Sequence, residues 1–290
     1  MIVRFEYFAP KSLDEVLRLL DEYGPDACLL AGGTDLLLKI RAGAVTPTAV
    51  IAIKAVKGLD LISFDTTKGL FIGATALLSD FAGHPAVTKH YPALRDAALA
   101  TANVQVRNMG TVIGNLCNAS PCADNAPTLI AMGGTAVVES RNGGRCVPLE
   151  DFFKGPGQSV IGPGEIVTSV TVPVPPKGSG ASYLSLSQRS RVDMSAVGAG
   201  VFVRLESSRI AQASIVMGSV GPVPMRASKA EAILAGKRPS AALFARAGEA
   251  AAKESKPISD VRASASYRRQ AVGVLVERAL GEAAARAKGD

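Results

Sequence analysis

The sequence predicts an α+β protein in two domains, residues 1–176 and 177–290, the second smaller and built on three antiparallel strands and helices. Three observations predict this. Ala27-Cys28-Leu29-Leu30 is a short apolar run that ends in Ala31-Gly32-Gly33-Thr34-Asp35 and passes into a helical pattern from Leu36. Pro173-Val174-Pro175-Pro176-Lys177-Gly178-Ser179-Gly180 reads as a linker. Beyond it, strand-like runs at 181–187, 197–205 and 210–216 have hairpin-compatible connections, and helical stretches follow at 229–234, 240–253 and 267–280.

In chain order, residues 2–8 alternate apolar and polar, as a half-buried strand does. Ser12 and Glu15 have capping-box spacing and open a helix with the apolar stripe Leu13, Val16, Leu17 and Leu20, ended by Gly24-Pro25. A strand at 27–30, the glycine turn and a short helix at 36–40 follow, then strands at 49–53 and 69–73 around a turn at Gly58. Residues 79–102 have helical character, with Pro92 suited to a first turn. A short helix is expected at 128–132, a hairpin of 135–139 and 145–147 around Asn142-Gly143-Gly144, and a strand at 166–172.

Composition narrows the function classes. With 290 residues and 48% hydrophobic content, the chain can bury a sizeable core. No apolar run has the length of a membrane span and the start lacks a signal-peptide core, so a cytoplasmic location is expected. Residues 181–290 carry 17 Lys and Arg against 9 Asp and Glu, while 1–180 carry 15 against 16. That positive charge is spread thinly along helices without arginine-rich runs or interleaved aromatics, which argues against nucleic acid. Four cysteines without a C-x-x-C pair, and only His84 and His90, argue against a metal site; Cys117 and Cys122 read as reduced, packed thiols. Redox chemistry here would need an organic cofactor.

Two segments stand out. A strand feeding paired glycines at a helix start leaves N–H groups that suit an anion, although the same pattern also makes an ordinary tight turn. The absence of G-x-G-x-x-G disfavours a Rossmann dinucleotide fold, and no G-K-[ST] follows, which excludes a P-loop. Residues 102–127 mix Asn, Gly, Ser and Thr with Val, Ile and Leu, and should run as turns through the interior. Such backbone needs hydrogen-bond partners. Either a large polar ligand or the segment's own side chains could supply them.

Taken together, these segments resemble the FAD-binding medium subunit of the molybdenum hydroxylases, the flavin subunits of the carbon monoxide and xanthine dehydrogenases. The matching phrases are Ala31-Gly32-Gly33-Thr34-Asp35; Arg107-Asn108-Met109-Gly110-Thr111-Val112-Ile113-Gly114-Asn115-Leu116 with Ala119-Ser120-Pro121 and Asp124; and, later, Tyr183-Leu184, Arg189, Val192-Asp193-Met194, Gly221-Pro222-Val223-Pro224-Met225-Arg226-Ala227, Asp260-Val261-Arg262 and Tyr267-Arg268-Arg269. They run in order over nearly the whole chain.

The resemblance implies a two-lobed FAD-binding domain of the vanillyl-alcohol-oxidase type, with subdomains near 1–57 and 58–176. It implies one noncovalent FAD, its two phosphates held by the backbone amides of Ala31, Gly32, Gly33, Thr34 and Asp35 and of Thr111, Val112, Ile113, Gly114 and Asn115, with Leu29, Leu30, Leu36 and Gly110 also among the cofactor-binding residues. Ser120 joins them, Asp124 would bond the ribityl or ring end, Thr101 and Ala102 would pass close to the isoalloxazine, and Val167 would contact the cofactor. No proton-transferring catalytic residue and no metal ligand are implied. The partners implied are a small subunit with [2Fe–2S] clusters and a large molybdopterin subunit, as a dimer of heterotrimers. Substrate and terminal acceptor stay open. Two alternatives stand beside this reading: a self-contained flavoprotein oxidoreductase and a non-catalytic scaffold.

The sequence departs from the family pattern in two places. Ile113 stands where paired glycines are usual, and Ser185 where several relatives carry a basic residue. From sequence alone, Gly33→Val is expected to abolish FAD retention by blocking backbone approach to phosphate, read as loss of flavin absorbance in the purified protein; full flavin content in the variant would refute it.

Overall fold

A computed structural model describes residues 4–189 and 193–289. Ile2 and Val3 of the first expected strand, and Val192 of one matching phrase, lie outside the described residues.

The chain opens with a small parallel sheet. Strands β1 (Glu6–Phe8), β2 (Ala27–Leu30) and β3 (Ala49–Ala52) lie in the order β1-β3-β2, and the fully buried Ala49-Val50-Ile51-Ala52 takes the centre. Helix α1 (Leu13–Tyr23) begins where the capping spacing placed it: Ser12 Oγ accepts from Glu15 N–H at 3.2 Å. The Glu15 carboxylate reaches back one residue further than in the standard box, to Lys11 N–H. Helix α2 (Leu36–Arg41) follows the glycine turn.

A five-stranded antiparallel sheet comes next, formed by β4 (Ile62–Asp65), β5 (Gly69–Gly73), β6 (Thr135–Ser140), β7 (Gly143–Pro148) and β10 (Ile166–Val172), with β10 central. A minor ribbon, β8 (Phe153–Gly155) and β9 (Gln158–Ser159), precedes β10. The single helical region expected at 79–102 is three helices, α3 (Leu78–Gly83), α4 (Pro85–His90) and α5 (Pro92–Ala100), because Pro85 and Pro92 each start a new one. Residues 102–127 are not only turns. They hold α6 (Val104–Arg107), α7 (Val112–Cys117) and the start of α8 (Asn125–Ala131), which begins three residues before the expected Thr128.

The last sheet has four strands, which corrects the expected three: β11 (Ser179–Leu186), β12 (Val197–Glu206), β13 (Arg209–Gly218) and the two-residue β14 (Met225–Arg226). Two residues leave no periodicity to read, and β14 forms because its Arg226 is anchored by Glu231 at 2.9 Å and by Glu150 at 2.9 Å. β11 takes Ser179 and Gly180 from the expected linker. Helices α9 (Ser228–Leu234), α10 (Ala241–Glu254) and α11 (Ala265–Lys288) cover this sheet, and the alanine-rich end of α11 runs eight residues past the expected Leu280.

Two hydrophobic cores result. One is built around the five-stranded sheet, with Phe81, Leu94, Leu116 and Leu129 among its fully buried members; the other fills the space between the last sheet and its helices. Helix α8 packs on β12 and β13, and α5 on β11, so the two halves meet over a broad front. Arg286 of α11 donates to Ala181 O at 2.7 Å and to Asp96 at 3.2 Å across it.

An ion pair between buried Arg268 and exposed Asp260 straps the loop between α10 and α11. The guanidinium of Arg268, 3% exposed, donates to Ser219 O at 2.8 Å and to Asp260 Oδ1 at 2.6 Å. Asp260 also accepts from the N–H groups of Arg262 and Ala263, and these bonds, the Arg262 N–H foremost, hold its carboxyl down at about 2. The strap grips the segment before β12: Arg262 carries a side-chain contact to Met194 Sδ at 3.2 Å, and its carbonyl accepts from Gln188 Nε2. A depressed carboxyl contributes stability that is complete above the unfolded-state value of ~4 and disappears as pH falls toward 2. Asp260→Ala is expected to cost about 2 kcal/mol at pH 7, because the buried guanidinium then keeps only Ser219 O as its acceptor. In urea unfolding the gap between wild type and variant should narrow between about pH 4 and 2; a gap independent of pH would refute the assignment.

Candidate functional site

A cleft of about 510 Å³ lies where the glycine turn after β2, the 101–124 segment and the Asp193–Met194 loop converge. Its size falls within the ~300–1,000 Å³ range of ligand sites.

The first wall is the turn Ala31–Asp35. Gly32 lies directly against the backbone of the second segment: a Cβ there would overlap Met109 O and stand 2.7 Å from Gly110 Cα. Only glycine permits that approach. Gly33 has a different requirement. Its φ of +75° belongs to the left-handed region, and a Cβ there would point to Leu30 and Leu37, at 3.0 and 3.2 Å. The reason attached to Gly33 therefore changes: a side chain there strains the turn and crowds two leucines, while the close backbone approach belongs to Gly32. Leu37 N–H bonds Gly33 O, whereas the N–H groups of Gly32, Gly33, Thr34 and Asp35 have no acceptor among the described residues.

The second wall is a run of capped turns. Asn103 Oδ1 caps α6 through Val106 N–H, and Gly110 N–H closes the next turn on Val106 O. Thr111 Oγ1 then caps α7 by accepting from Gly114 N–H at 2.9 Å. Leu78 N–H to Gly110 O and Val112 N–H to Ala76 O pin this turn to the core beneath. Ile113 sits in the first turn of α7 with its side chain buried, so the position needs no left-handed conformation. Two residues of the segment do take positive φ, Ala102 at 49° and Ala119 at 48°; the Arg107 guanidinium holds the first corner by donating to Thr101 O and Ala102 O at 3.0 and 2.6 Å.

The polar side chains of this segment also serve one another. Asn125 Nδ2 donates to Thr101 Oγ1 and to Asn115 Oδ1, each at 3.0 Å. The self-satisfying reading is thus partly right, yet Thr111 N–H, like the amides of the first turn, finds no acceptor among the described residues. One cation reaches the cleft from the glycine-loop side: Lys39 Nζ donates to Asn118 Oδ1 at 2.6 Å and ties the two walls together.

A buried carboxylate completes the lining. Asp124 is 6% exposed, and its Oδ1 accepts from Tyr183 Oη and Ser195 Oγ, both at 2.6 Å. Burial pushes its carboxyl above the usual carboxylate range, against the pull of the two hydroxyl donors. Burial, reinforced by the Asp124 charge, drives the Tyr183 phenol well up.

Most of the residues singled out from sequence line this one cleft. Leu29, Ala31, Gly32, Gly33, Thr34, Asp35 and Leu36 line it on the first side. Thr101, Ala102, Gly110, Thr111, Gly114, Asn115, Ser120 and Asp124 line it on the second. Leu30, Val112, Ile113 and Val167 stand behind the walls; Val167, 4% exposed, belongs to the core on β10.

The sequence reading gave no site role to Lys39, Asn118, Asp193 or Met194, although Asp193-Met194 belongs to one of the matching phrases. Lys39 had a signal, since it follows Asp35 by one helical turn and shares its face. Cys117 and Cys122 are not packed in the core but line the cleft, Cys117 exposed to it. The surrounding protein pushes the Cys117 thiol up to about 12, so it stays protonated. Among the described residues no group of three or more His, Cys, Asp or Glu could hold a metal ion, and no helix is long and apolar enough to cross a membrane.

Comparison with known proteins identifies two matching family models. Residues 3–175 match the FAD binding domain in molybdopterin dehydrogenase, and residues 182–283 the CO dehydrogenase flavoprotein C-terminal domain. The carbon monoxide dehydrogenase medium chain of Hydrogenophaga pseudoflava is 32% identical, with 98% of each chain covered. The nicotinate dehydrogenase FAD-subunit of Eubacterium barkeri is 34% identical over 80% of each chain. A solved structure of the Hydrogenophaga pseudoflava carbon monoxide dehydrogenase, described as lacking the Mo-pyranopterin moiety of the molybdenum cofactor, superposes with a TM-score of 0.94 at 34% identity, covering 99% of both chains.

The two glycines of the first turn are separable by mutation. Gly32→Ala drives a methyl into the backbone of the second wall, with an expected cost of about 2 kcal/mol and loss of bound FAD. Gly33→Ala incurs a conformational strain of about 1 kcal/mol and should keep most of its FAD. Flavin content and urea midpoints of the two variants check this; greater flavin loss in Gly33→Ala than in Gly32→Ala would reverse the assignment.

Proposed function

Because the chain belongs to the family of FAD-binding subunits of the molybdopterin dehydrogenases, we propose that it is the flavin subunit of a three-subunit enzyme. It takes electrons from [2Fe–2S] clusters in a small partner subunit and delivers them to an external acceptor, while a large molybdopterin subunit oxidises the substrate. The observation that carries this reading is the cleft itself: amides without acceptors among the described residues, in two loops brought together by Gly32, beside a buried carboxylate.

These residues fit FAD. The amides of Gly32, Gly33, Thr34, Asp35 and Thr111 would donate to the pyrophosphate, with Lys39 supplying positive charge. Helices α2 and α7 have six residues each, so their dipoles add less than the loop amides do. Asp124 would accept from the ribityl or ring end, and Thr101 and Ala102 would border the isoalloxazine. Leu30, Val112 and Val167 would then act by supporting the walls. The two sheets on either side of the cleft suit the two-lobed arrangement of the vanillyl-alcohol-oxidase type.

Bound flavin supplies the step that no side chain of this protein can, accepting electrons singly and releasing them as a pair. The protein's own part is to bind, orient and partly enclose it. The relatives' names carry different substrates, carbon monoxide and nicotinate, at nearly equal identity to this chain. Substrate choice is accordingly assigned to the large subunit, and the assembly to a dimer of heterotrimers in the cytoplasm.

The test is co-expression with and without the small and large partners. The chain alone should be yellow, release its FAD on acid precipitation and turn over no substrate; the three subunits together should transfer electrons from substrate to acceptor through the flavin. Substrate turnover by the chain alone, or a colourless chain, would overturn the proposal.

A further inference from the structure

Asp124 belongs to the first half of the chain, but both groups that hold it come from the second. Tyr183 stands on β11 and Ser195 lies two residues before β12; they are 5% and 4% exposed. Their hydroxyls converge on a single atom, Oδ1, at 2.6 Å each. Oδ2 accepts nothing from the described residues and is not among the sealed, unpartnered buried atoms, although Asp124 lines the cleft. The carboxylate is thus fully engaged on one oxygen and open on the other.

This division has a physical consequence. Two hydroxyl donors on Oδ1 favour the ionised carboxylate against the burial that opposes it. They also fix its rotation about the Cβ–Cγ bond, leaving Oδ2 as an oriented acceptor for a hydroxyl or N–H of whatever fills the cleft. Neither hydroxyl need touch that ligand. We propose that Tyr183 and Ser195 are positioning residues for FAD, turning Oδ2 of Asp124 into the cleft, so that the second domain completes the cofactor site without contacting the cofactor through these side chains. The proposal rests on the cleft being the FAD site.

The role of Asp193 and Met194 is separate: they line the cleft themselves, and the Arg268–Asp260 strap sets their loop. Tyr183 and Ser195 work through Asp124 alone. Loss of either donor should therefore weaken FAD binding only while Asp124 is present.

Flavin-free full-length chain, titrated with FAD and followed by flavin fluorescence, tests this in a double-mutant cycle. Tyr183→Phe is expected to weaken binding about tenfold, and Ser195→Ala somewhat less, the loss of one hydrogen bond to a charged group. On an Asp124→Ala background each substitution should change the affinity less than about twofold. The visible circular dichroism of bound flavin should change in Tyr183→Phe and Ser195→Ala alike, because the orientation of the acceptor changes while the fold does not. Should Tyr183→Phe fail to fold, as judged by urea unfolding of the flavin-free protein, Ser195→Ala carries the same cycle. Unchanged affinity in the single variants, or an equal loss with and without Asp124, overturns the positioning role. A wild-type chain that binds no FAD overturns the reading of the cleft, and this inference with it; binding with a null cycle overturns this inference alone.

Discussion

The cleft depends on one backbone contact, Gly32 against Met109 and Gly110. One segment follows β2 of the parallel sheet and the other joins helices α6 and α7, far away in sequence, and no pair of side chains would bring their main chains so close. Removing the Cβ at Gly32 lets one turn rest on the other, and the capped turns at Asn103 and Thr111 then have a rigid platform. The same packing leaves a set of amides without acceptors among the described residues. An unpaired, partly enclosed N–H is costly unless something else accepts from it. The arrangement that is expensive for the empty chain is what makes it a receptor for an anion, and the Lys39–Asn118 bond across the walls adds a charge of the right sign.

The second half of the chain enters this site by two routes. Hydrogen bonds from Tyr183 and Ser195 reach Asp124 from β11 and the start of β12, and the strap of Arg268 and Asp260 holds the loop that carries Asp193 and Met194. Both routes are polar, whereas the broader junction of α8 and α5 with the last sheet is packing. The junction can therefore be set by apolar burial, with the few polar links fixing its register at the place where a ligand would notice an error of a fraction of an ångström.

What could be read from the sequence was local. The Ser12 cap, the glycine turn after an apolar strand, the hairpin at Gly143 and the proline-led start of α5 all depend on neighbours within a few residues, and each was visible. The short strands β4, β8, β9 and β14 exist because partners elsewhere accept their hydrogen bonds, and two to four residues show no period. The division of residues 79–102 was legible in Pro85 but was read as one helix. In the site, paired glycines and asparagine-rich turns pointed to the walls. Their closure did not show, because Lys39 meets Asn118 across 79 positions and Tyr183 meets Asp124 across 59. Ile113 shows the opposite limit: a departure from the family's glycine pattern is here an ordinary first-turn helical residue.

Cys117 borders the proposed flavin site with its thiol pushed up to about 12. A thiol shifted in that direction is disfavoured as thiolate, the form that reacts with peroxide or exchanges with disulfides. A flavin that hands electrons outward is also a source of partly reduced oxygen when its acceptor is scarce. Placed deep in the cleft, the sulfur is held toward its protonated form, so an accessible cysteine can stand beside a redox centre with its reactive form disfavoured.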